Sequence, residues 1–421
     1  MFFFSMDQKK YQFISLWIIL TLFFVSCKRD SNQPVPAAEQ LGSQVIEITN
    51  TSHQNRTKSN VEVDLHRLKK EMIPEKGNTL LVVLGDKIIP SQLDDLDNDG
   101  KPDELVFQVN IAANDRIKAL IYKVSKEFAA NYHYKKRTHA QLGLKNGKKP
   151  FIIRDSIFSE NGDLYKESMH HGPALESEIM AYRMYFDNRS SIDIYGKIHQ
   201  RLELDTTKWY SNDEFIANDY GGDILFVSKT IGIGSLRTWN GKNAEVVKAN
   251  KGRYAIVRAS GPVRSVIDMC ALGVNGSEEL LSRMMIYAGH REMIYRAYLP
   301  KEMSAEFCTG VRKMDGADVR INKEAGYISL WGTDYPRINH EKYPKVTVGL
   351  GVVVPEQWQS KQFMDDELNH LIGVQPKDLF MEYYVTAAWN QERNGIRTAD
   401  EMEEYMKNLS LRVNAPLQIS Y

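Results

Sequence analysis

The densest group of chemically able side chains in this 421-residue sequence runs Glu167-Ser-Met-His-His-Gly-Pro-Ala-Leu-Glu-Ser-Glu178. A histidine with a carboxylate is the ordinary equipment for general acid–base catalysis, and two carboxylates are the ordinary equipment for glycoside hydrolysis. His170, His171, Glu176 and Glu178 are therefore candidate catalytic residues. In an extended segment His170 and His171 point to opposite sides, so at most one faces a given cleft, whereas Glu176 and Glu178 share a face. Arg183 follows on the next strand and offers itself to substrate or to the glutamates. The competing reading is a His-Gly-Pro turn with solvated glutamates. Two later segments, Asn218-Asp-Tyr-Gly-Gly-Asp223 and Gly232-Ile-Gly-Ser-Leu-Arg-Thr-Trp-Asn-Gly241, read as loops with polar and aromatic tips. Asp219, Tyr220 and Arg237 extend the catalytic set, and Trp239 and His290 the substrate-binding set, because an aromatic plane packs on a pyranose while Asp and Arg bond its hydroxyls or a carboxylate.

A third motif suits a metal. In Asp95-Leu-Asp-Asn-Asp-Gly-Lys-Pro-Asp103, Asp95, Asp97 and Asp99 alternate as ligands, Gly100 allows a tight turn, the Lys101 carbonyl falls at the seventh position and Asp103 at the ninth. Val106 stands where an EF-hand has its bidentate glutamate, and no helix precedes the loop. A structural Ca2+ ion between strands fits the pattern, and an acidic turn without metal is the alternative.

The chain that positions these residues is expected to start with a leader. Lys9 and Lys10 precede an apolar run from Phe13 to Ser26, too short to span a bilayer comfortably, where about 20 residues are needed. The run ends in Phe24-Val-Ser-Cys27, which resembles a lipobox. Residues 1–27 are expected to be a lipoprotein signal peptide ending at the lipidated Cys27, and 28–42 a flexible tether. The expected location is the cell envelope, with membrane contact only through the lipid.

Lys plus Arg equal Asp plus Glu at 54 each, so a nucleic-acid partner, which would call for a basic excess, is not expected. No nucleotide or redox cofactor is expected either, since phosphate loops and metal-spaced Cys/His pairs are missing from the sequence. Cys270 and Cys308 are equally compatible with a disulfide or with buried thiols. Short runs rich in β-branched residues, such as Thr79–Leu84 and Lys345–Leu350, recur between turn formers and imply a mainly β protein. The expected organisation is a small β-sandwich with the calcium loop over 43–125, a connector draped on the surface over 126–150, and a large antiparallel sandwich over 151–421 carrying the carbohydrate-active site. Few helices are expected; the clear one starts at the capping box Thr398-Ala-Asp-Glu401 and buries Met402, Tyr405, Met406 and Leu409 on one face.

Several motifs together, namely Gln92–Leu105, Tyr165–Glu178, Asp193-Ile-Tyr-Gly-Lys197, Asn218–Asp223, Ser260-Gly-Pro-Val-Arg264 and Tyr384-Val-Thr-Ala-Ala-Trp389, resemble the exported Bacteroidetes-type lipoprotein family catalogued as domain of unknown function 4861. That resemblance covers essentially the whole mature chain and implies an association with systems that degrade uronate-rich polysaccharides. The Gly-Pro-Val-Arg strand also resembles galactose-mutarotase-like sandwiches, a likeness of fold that licenses no mechanism. The resulting expectation is a carbohydrate-active enzyme on uronate-containing oligosaccharides, either lyase-like or hydrolytic. In the lyase version His170 or His171 takes a proton, Arg237 offsets the enolate charge and Tyr220 protonates the leaving oxygen. In the hydrolytic version two of Glu176, Glu178 and Asp219 share the work. A non-catalytic glycan-binding lipoprotein is the alternative.

Overall fold

The computed structural model describes residues 34–274, 278–301 and 303–421; the expected signal peptide, Cys27 and the expected tether up to residue 33 lie outside them. A nine-stranded sheet organises the described residues. Its order in space is Ser156–Ser159, Gly252–Ser260, Arg264–Val274, Glu278–Tyr287, Met293–Tyr298, Phe380–Trp389, Val346–Val353, Tyr327–Asp334 and Asp318–Asn322. Its pairs are antiparallel throughout.

Side chains alternate across this sheet, as the two-residue period of a strand requires. Ile267, Met284, Ile286, Tyr295 and Val385 enter the large core shared with two five-stranded sheets. Their neighbours Val266, Met285, Tyr287 and Ile294 enter a second core on the opposite face, with Leu96 and Val106. Both faces are thus covered, which is why Arg264–Val274 is almost continuously buried. The covering sheets run Gly222–Asp223, Ile192–Gly196, Met180–Met184, Ala174–Ser177, Thr138–Gln141, and Ala244–Val246, Arg237–Trp239, Glu306–Arg312, Asn369–Val374, Gln359–Asp365.

The protein is mainly β and antiparallel, with four α-helices among the described residues, of which Ala399–Asn414 is the longest. Thr398 caps that helix through Oγ1 to the Glu401 amide at 3.2 Å, and the Glu401 carboxylate reaches back to the Arg397 amide at 2.6 Å. Met402, Met406 and Leu409 are buried against Tyr327, Val353 and Ala388.

Residues 126–150 are not a draped connector. Thr138–Gln141 pairs with Ala174–Ser177 as the edge of one covering sheet, and Gly143–Asn146 pairs with Lys149–Ile153 in a two-stranded sheet. The basic flanks hid a short strand whose Thr138, Ala140 and Gln141 are buried. The N-terminal β-sandwich is also not closed by residues 43–125 alone. The last strand, Gln418–Ser420, pairs with Gly42–Thr49, so the chain end completes the sheet that holds Arg116–Ser125, Asn78–Leu84 and Lys87–Ile89. A three-stranded sheet of Arg56–Asp64, Glu104–Ile111 and Ser91–Asp94 packs on it through Ile46, Val63, Val82, Phe107 and Ile121. Pro34–Tyr421 forms one compact unit.

Buried charge ties this small sandwich to the nine-stranded sheet. Arg264 donates to Asp94 at 2.7 Å, to Glu104 at 2.6 Å and to the Tyr287 hydroxyl at 3.0 Å. Tyr287 donates to Glu62 at 2.6 Å, and Arg296 bridges Glu62 at 3.0 Å to Glu382 at 2.6 Å. Against burial, which would raise it, Arg296 and Arg264 hold the Glu62 carboxyl down to about 2. Replacing Arg264 by Leu leaves Asp94, whose side chain is 2% exposed, without its cationic partner, and removing one partner of a buried pair costs roughly 3–5 kcal/mol. The urea midpoint of Arg264→Leu should fall accordingly; an unchanged midpoint would show that the network carries no net stability.

Candidate functional site

A cleft of about 570 Å³ opens where the segments around Tyr165, Arg189, Asp223 and Arg337 meet, with Tyr185, Tyr210 and Tyr343 among its walls. Its charged lining consists of Arg183, Arg189, Lys229 and Arg337 against a single carboxyl residue, Asp223.

Strand register places the centre of this site. Arg183 and Asp193 are directly opposed on neighbouring antiparallel strands. Arg183 grips Asp193 Oδ2 through Nε at 3.0 Å and Nη2 at 2.6 Å, and Tyr185 donates to the same oxygen at 2.7 Å. The rest of the guanidinium is also engaged. Nη1 donates to the Tyr210 hydroxyl at 2.8 Å and to the His170 carbonyl at 3.2 Å, while Cζ lies 4.4 Å from the centre of the Trp209 ring.

Asp223 comes next to this pair by a close backbone approach. Its two-residue strand, Gly222–Asp223, pairs with Tyr195 and Gly196. The preceding Gly221 runs so near the Gly196 carbonyl that a Cβ there would stand 1.7 Å from its oxygen, so only glycine fits. The Asp223 side chain is 7% exposed, with Oδ2 3.6 Å from Arg183 and 3.4 Å from Arg337. Oδ1 is buried without a hydrogen-bond partner. Burial, with the neighbouring Asp193 charge, outweighs Arg183 and Arg337 and pushes this carboxyl up to about 7. At neutral pH it still holds its proton for much of the time, as a general acid requires.

His171 is half-buried among the same aromatics. Its ring stacks on Tyr165 at 3.9 Å and lies 5.9 Å from Tyr210. Nδ1 bonds the Tyr165 carbonyl at 2.7 Å. A carbonyl only accepts, so Nδ1 carries the hydrogen and Nε2 keeps a lone pair. Burial, then the charges of Arg183, Lys145 and Arg189, lower its pKa, so the ring is a neutral base at pH 7. Arg189, clamped by Asp187 at 2.6 Å, lies 4.6 Å from both the Tyr165 and Tyr185 rings. Arg337 lies 4.9 Å from the Tyr210 ring and 4.4 Å from that of Tyr343.

Of the residues singled out in the sequence, the structure brings Arg183 into the lining of this cleft and sets His171 directly behind it, against the wall residues Tyr165 and Tyr210; Arg183 is saturated by protein partners rather than offered to substrate. Most of the others are committed elsewhere. His170 is buried, with Nε2 2.7 Å from Gln141 Oε1, and burial followed by the Arg183 charge lowers its pKa to about 3. Glu176 is sealed from solvent, bonded by Lys197 Nζ and by the amides of Glu203 and Leu204; it is a structural anchor, not an acid or base for substrate. Glu178 is held by Arg137 Nε at 2.5 Å and the Gly289 amide at 2.7 Å. Arg237 is buried and spends its donors on the carbonyls of Arg189 and Leu236 and on Ser191 Oγ, so it cannot meet an enolate.

The remaining expectations also move. Asp219 is exposed and pairs with His199 at 3.3 Å, and Tyr220 packs under Arg201 at 3.8 Å. Trp239 packs on the cluster of Ile231, Cys308 and Leu371 rather than offering a platform. His290 is buried between Glu292 at 2.6 Å and the Lys58 carbonyl at 2.7 Å. Cys270 and Cys308 are free buried thiols. Asp223, Arg189, Tyr210 and Arg337 were not singled out by sequence reasoning, although the Gly221-Gly222-Asp223 run carried a usable signal of a side chain placed by close backbone contact.

In the acidic loop, Asp95, Asp97 and Asp99 bring one carboxylate oxygen each within 4.8 Å of one another. Asp95 also accepts from the Asn98 and Gly100 amides, and Asp103 turns to the Leu96 amide at 2.5 Å. Three converging carboxylates fit a hard divalent cation such as Ca2+.

Residues 48–419 match the family model described as a domain of unknown function, DUF4861. The chain belongs to that family. Among solved structures it is similar to a protein of glycosyl hydrolase family 38 from Enterococcus faecalis, with 8% identity, a TM-score of 0.40, and coverage of 92% of this chain and 48% of that one. An alpha-mannosidase from Enterococcus faecalis V583 is similar at 7% identity and a TM-score of 0.37, covering 92% and 46%. The chain thus spans under half the length of either. No curated protein matches it.

Asp223 is charged above about pH 7 in the folded protein but already above about pH 4 in the unfolded chain, whose ordinary value is 3.8. The folded state therefore binds more protons between these values, and Asp223 costs stability progressively as pH rises from about 4 to about 7. Asp223→Asn removes that cost. Its thermal midpoint should lie near that of the wild type at pH 4, climb above it up to pH 7, and keep a constant lead beyond. A pH-independent difference would contradict the raised carboxyl.

Proposed function

We propose that the chain is a carbohydrate-active enzyme of the cell envelope, anchored through Cys27, that cleaves uronate-containing oligosaccharides by elimination in the Asp223 cleft. The observation that carries this reading is a lining with four cationic side chains and one carboxyl group that retains its proton to about pH 7. A uronate carboxylate is bonded by Arg337 and Arg189, and the tyrosine faces pack on the sugar ring. His171 Nε2 takes the proton from the carbon next to that carboxylate. Asp223 gives its proton to the departing glycosidic oxygen as the C–O bond breaks and a C=C bond forms. The cations stabilise the charge that develops on the carboxylate. Hydrolysis by two carboxylates is less well supported, because Asp193, the nearest second carboxylate, is fully buried under Arg183 and Tyr185.

The test is incubation of the mature protein with saturated uronate oligosaccharides, read by ultraviolet absorbance and mass. Unsaturated product is expected, formed with no gain of water, at a rate that falls as pH rises through about 7. His171→Ala and Asp223→Asn should lower kcat by 10²-fold or more, in line with typical acid–base contributions, and Arg337→Ala should raise KM. A product heavier by one water would overturn the elimination chemistry. Binding without any product would make the chain a glycan-binding lipoprotein instead.

We further propose that the Asp95–Asp103 loop holds a structural Ca2+ ion, supported by the convergence of Asp95, Asp97 and Asp99, with the Lys101 carbonyl and Asp103 as the further ligands the loop offers. Binding at a hundred times Kd adds about 2.7 kcal/mol. Chelator should accordingly lower Tm, Ca2+ should restore it, and Asp97→Asn should abolish the response; a Tm indifferent to chelator would remove the metal.

A further inference from the structure

Three of the six buried arginines among the described residues have a carboxylate against them, and Arg56 and Arg237 spend their donors on several carbonyl oxygens instead. Arg183 has Asp193, Arg264 has Asp94, and Arg291 has Glu392. Arg253 has none within ion-pair range among the described residues. It lies on the strand Gly252–Ser260 and is 4% exposed. Its guanidinium makes one hydrogen bond, from Nη2 to the Val247 carbonyl at 3.3 Å, and Nε is buried with no partner. Burial lowers its pKa, with the more distant Asp187 opposing only in part. Arg237, buried nearby and bonded only to carbonyls and hydroxyl oxygen, adds a second positive charge to the same field. Arginine does not shed its proton in proteins, and an uncompensated buried ion is strongly disfavoured. A counter-charge brought by a ligand would offset that cost.

Arg253 also lines a pocket of about 460 Å³ together with Asn188, Glu245, Lys248 and Asn250. That volume accommodates a sugar ring. Glu245 is the one carboxylate on its wall, and it is engaged by Asn240 Nδ2 at 2.6 Å. The pocket adjoins the proposed active cleft through one turn, in which Asn188 faces the pocket and Arg189 faces the cleft. We propose that this pocket is a second ligand site, binding the carboxylate of a uronic acid residue on Arg253 and Lys248, with Asn188 and Asn250 bonding its hydroxyls. The choice of a sugar acid rests on the function proposed above; the unpaired guanidinium does not.

Isothermal titration of the mature protein with galacturonate, and with neutral galactose as control, tests this. Two galacturonate sites and no comparable galactose binding are expected. Arg253→Leu and the exposed rim variant Lys248→Glu should each weaken one site at least tenfold, whereas Arg337→Ala weakens the other. Lys248→Glu carries the test by itself if Arg253→Leu does not fold. A single site that persists in Arg337→Ala and vanishes in Lys248→Glu would support this pocket while overturning the cleft as the uronate site. Binding untouched by either Arg253→Leu or Lys248→Glu, equal affinity for galactose, or no binding at all would overturn the proposal.

Discussion

The cross-strand pair of Arg183 and Asp193 is the constraint on which the candidate site depends. A buried ion pair is a poor source of stability, because desolvation of both ions offsets most of their attraction. Its value here is positional. Register alone sets the two residues opposite one another, and Arg183 then fixes Tyr210 and the His170 carbonyl while Trp209 covers its face. Because Asp193 takes the shortest contacts to Arg183, Asp223 is left at 3.6 Å with partial compensation. The same pair therefore anchors the wall of the cleft and withholds the charge that would otherwise ionise Asp223.

The protein uses buried charge in two ways that composition cannot distinguish. In the Arg264–Glu62–Arg296–Glu382 network each carboxylate shown has a close cationic partner, and Glu62 is held down to about 2. Around Asp223 the balance is left incomplete, and the carboxyl rises to about 7. Two buried carboxyl groups are pushed in opposite directions by the ratio of cations to carboxylates within a few ångströms. Saturated clusters join sheets, and the unsaturated one retains an exchangeable proton.

That ratio also explains what was legible in the sequence. The helix cap at Thr398, the β-branched strand runs and the convergence of Asp95, Asp97 and Asp99 are local in sequence, and each is found where the residues placed it. Of the candidates in the cluster from Glu167 to Glu178, only His171 packs against the walls of the cleft. Glu176 and Glu178 found partners in Lys197 and Arg137, segments whose proximity no local pattern reveals. Asp223, Tyr210 and Arg337 come from three separate segments and meet only when the sheet has formed. The strand Thr138–Gln141 escaped notice for a related reason, since a few buried residues flanked by lysines look like a loop until a partner strand is known.

Backbone strain gives an independent sign that the cleft is held by its surroundings rather than by local preference. His170 and His171 occupy left-handed conformations at φ 58° and 63°, and Lys208, Trp209 and Ser228 do so at 50°, 74° and 50°. Such conformations cost on the order of 1 kcal/mol or more each in a residue with a side chain, and persist only where packing over-determines them. Here the packing is visible. The Arg183 guanidinium fixes the His170 carbonyl, Tyr165 fixes the His171 ring from both its carbonyl and its face, and Trp209 lies under Arg183. Of these, His170 and Trp209 touch Arg183 and His171 stacks on Tyr165, while other left-handed residues such as Asn98, Lys361 and Leu379 lie elsewhere in the fold. The two consecutive left-handed histidines are thus held by the Arg183 guanidinium and by Tyr165 rather than by the local preference of a His-Gly-Pro turn.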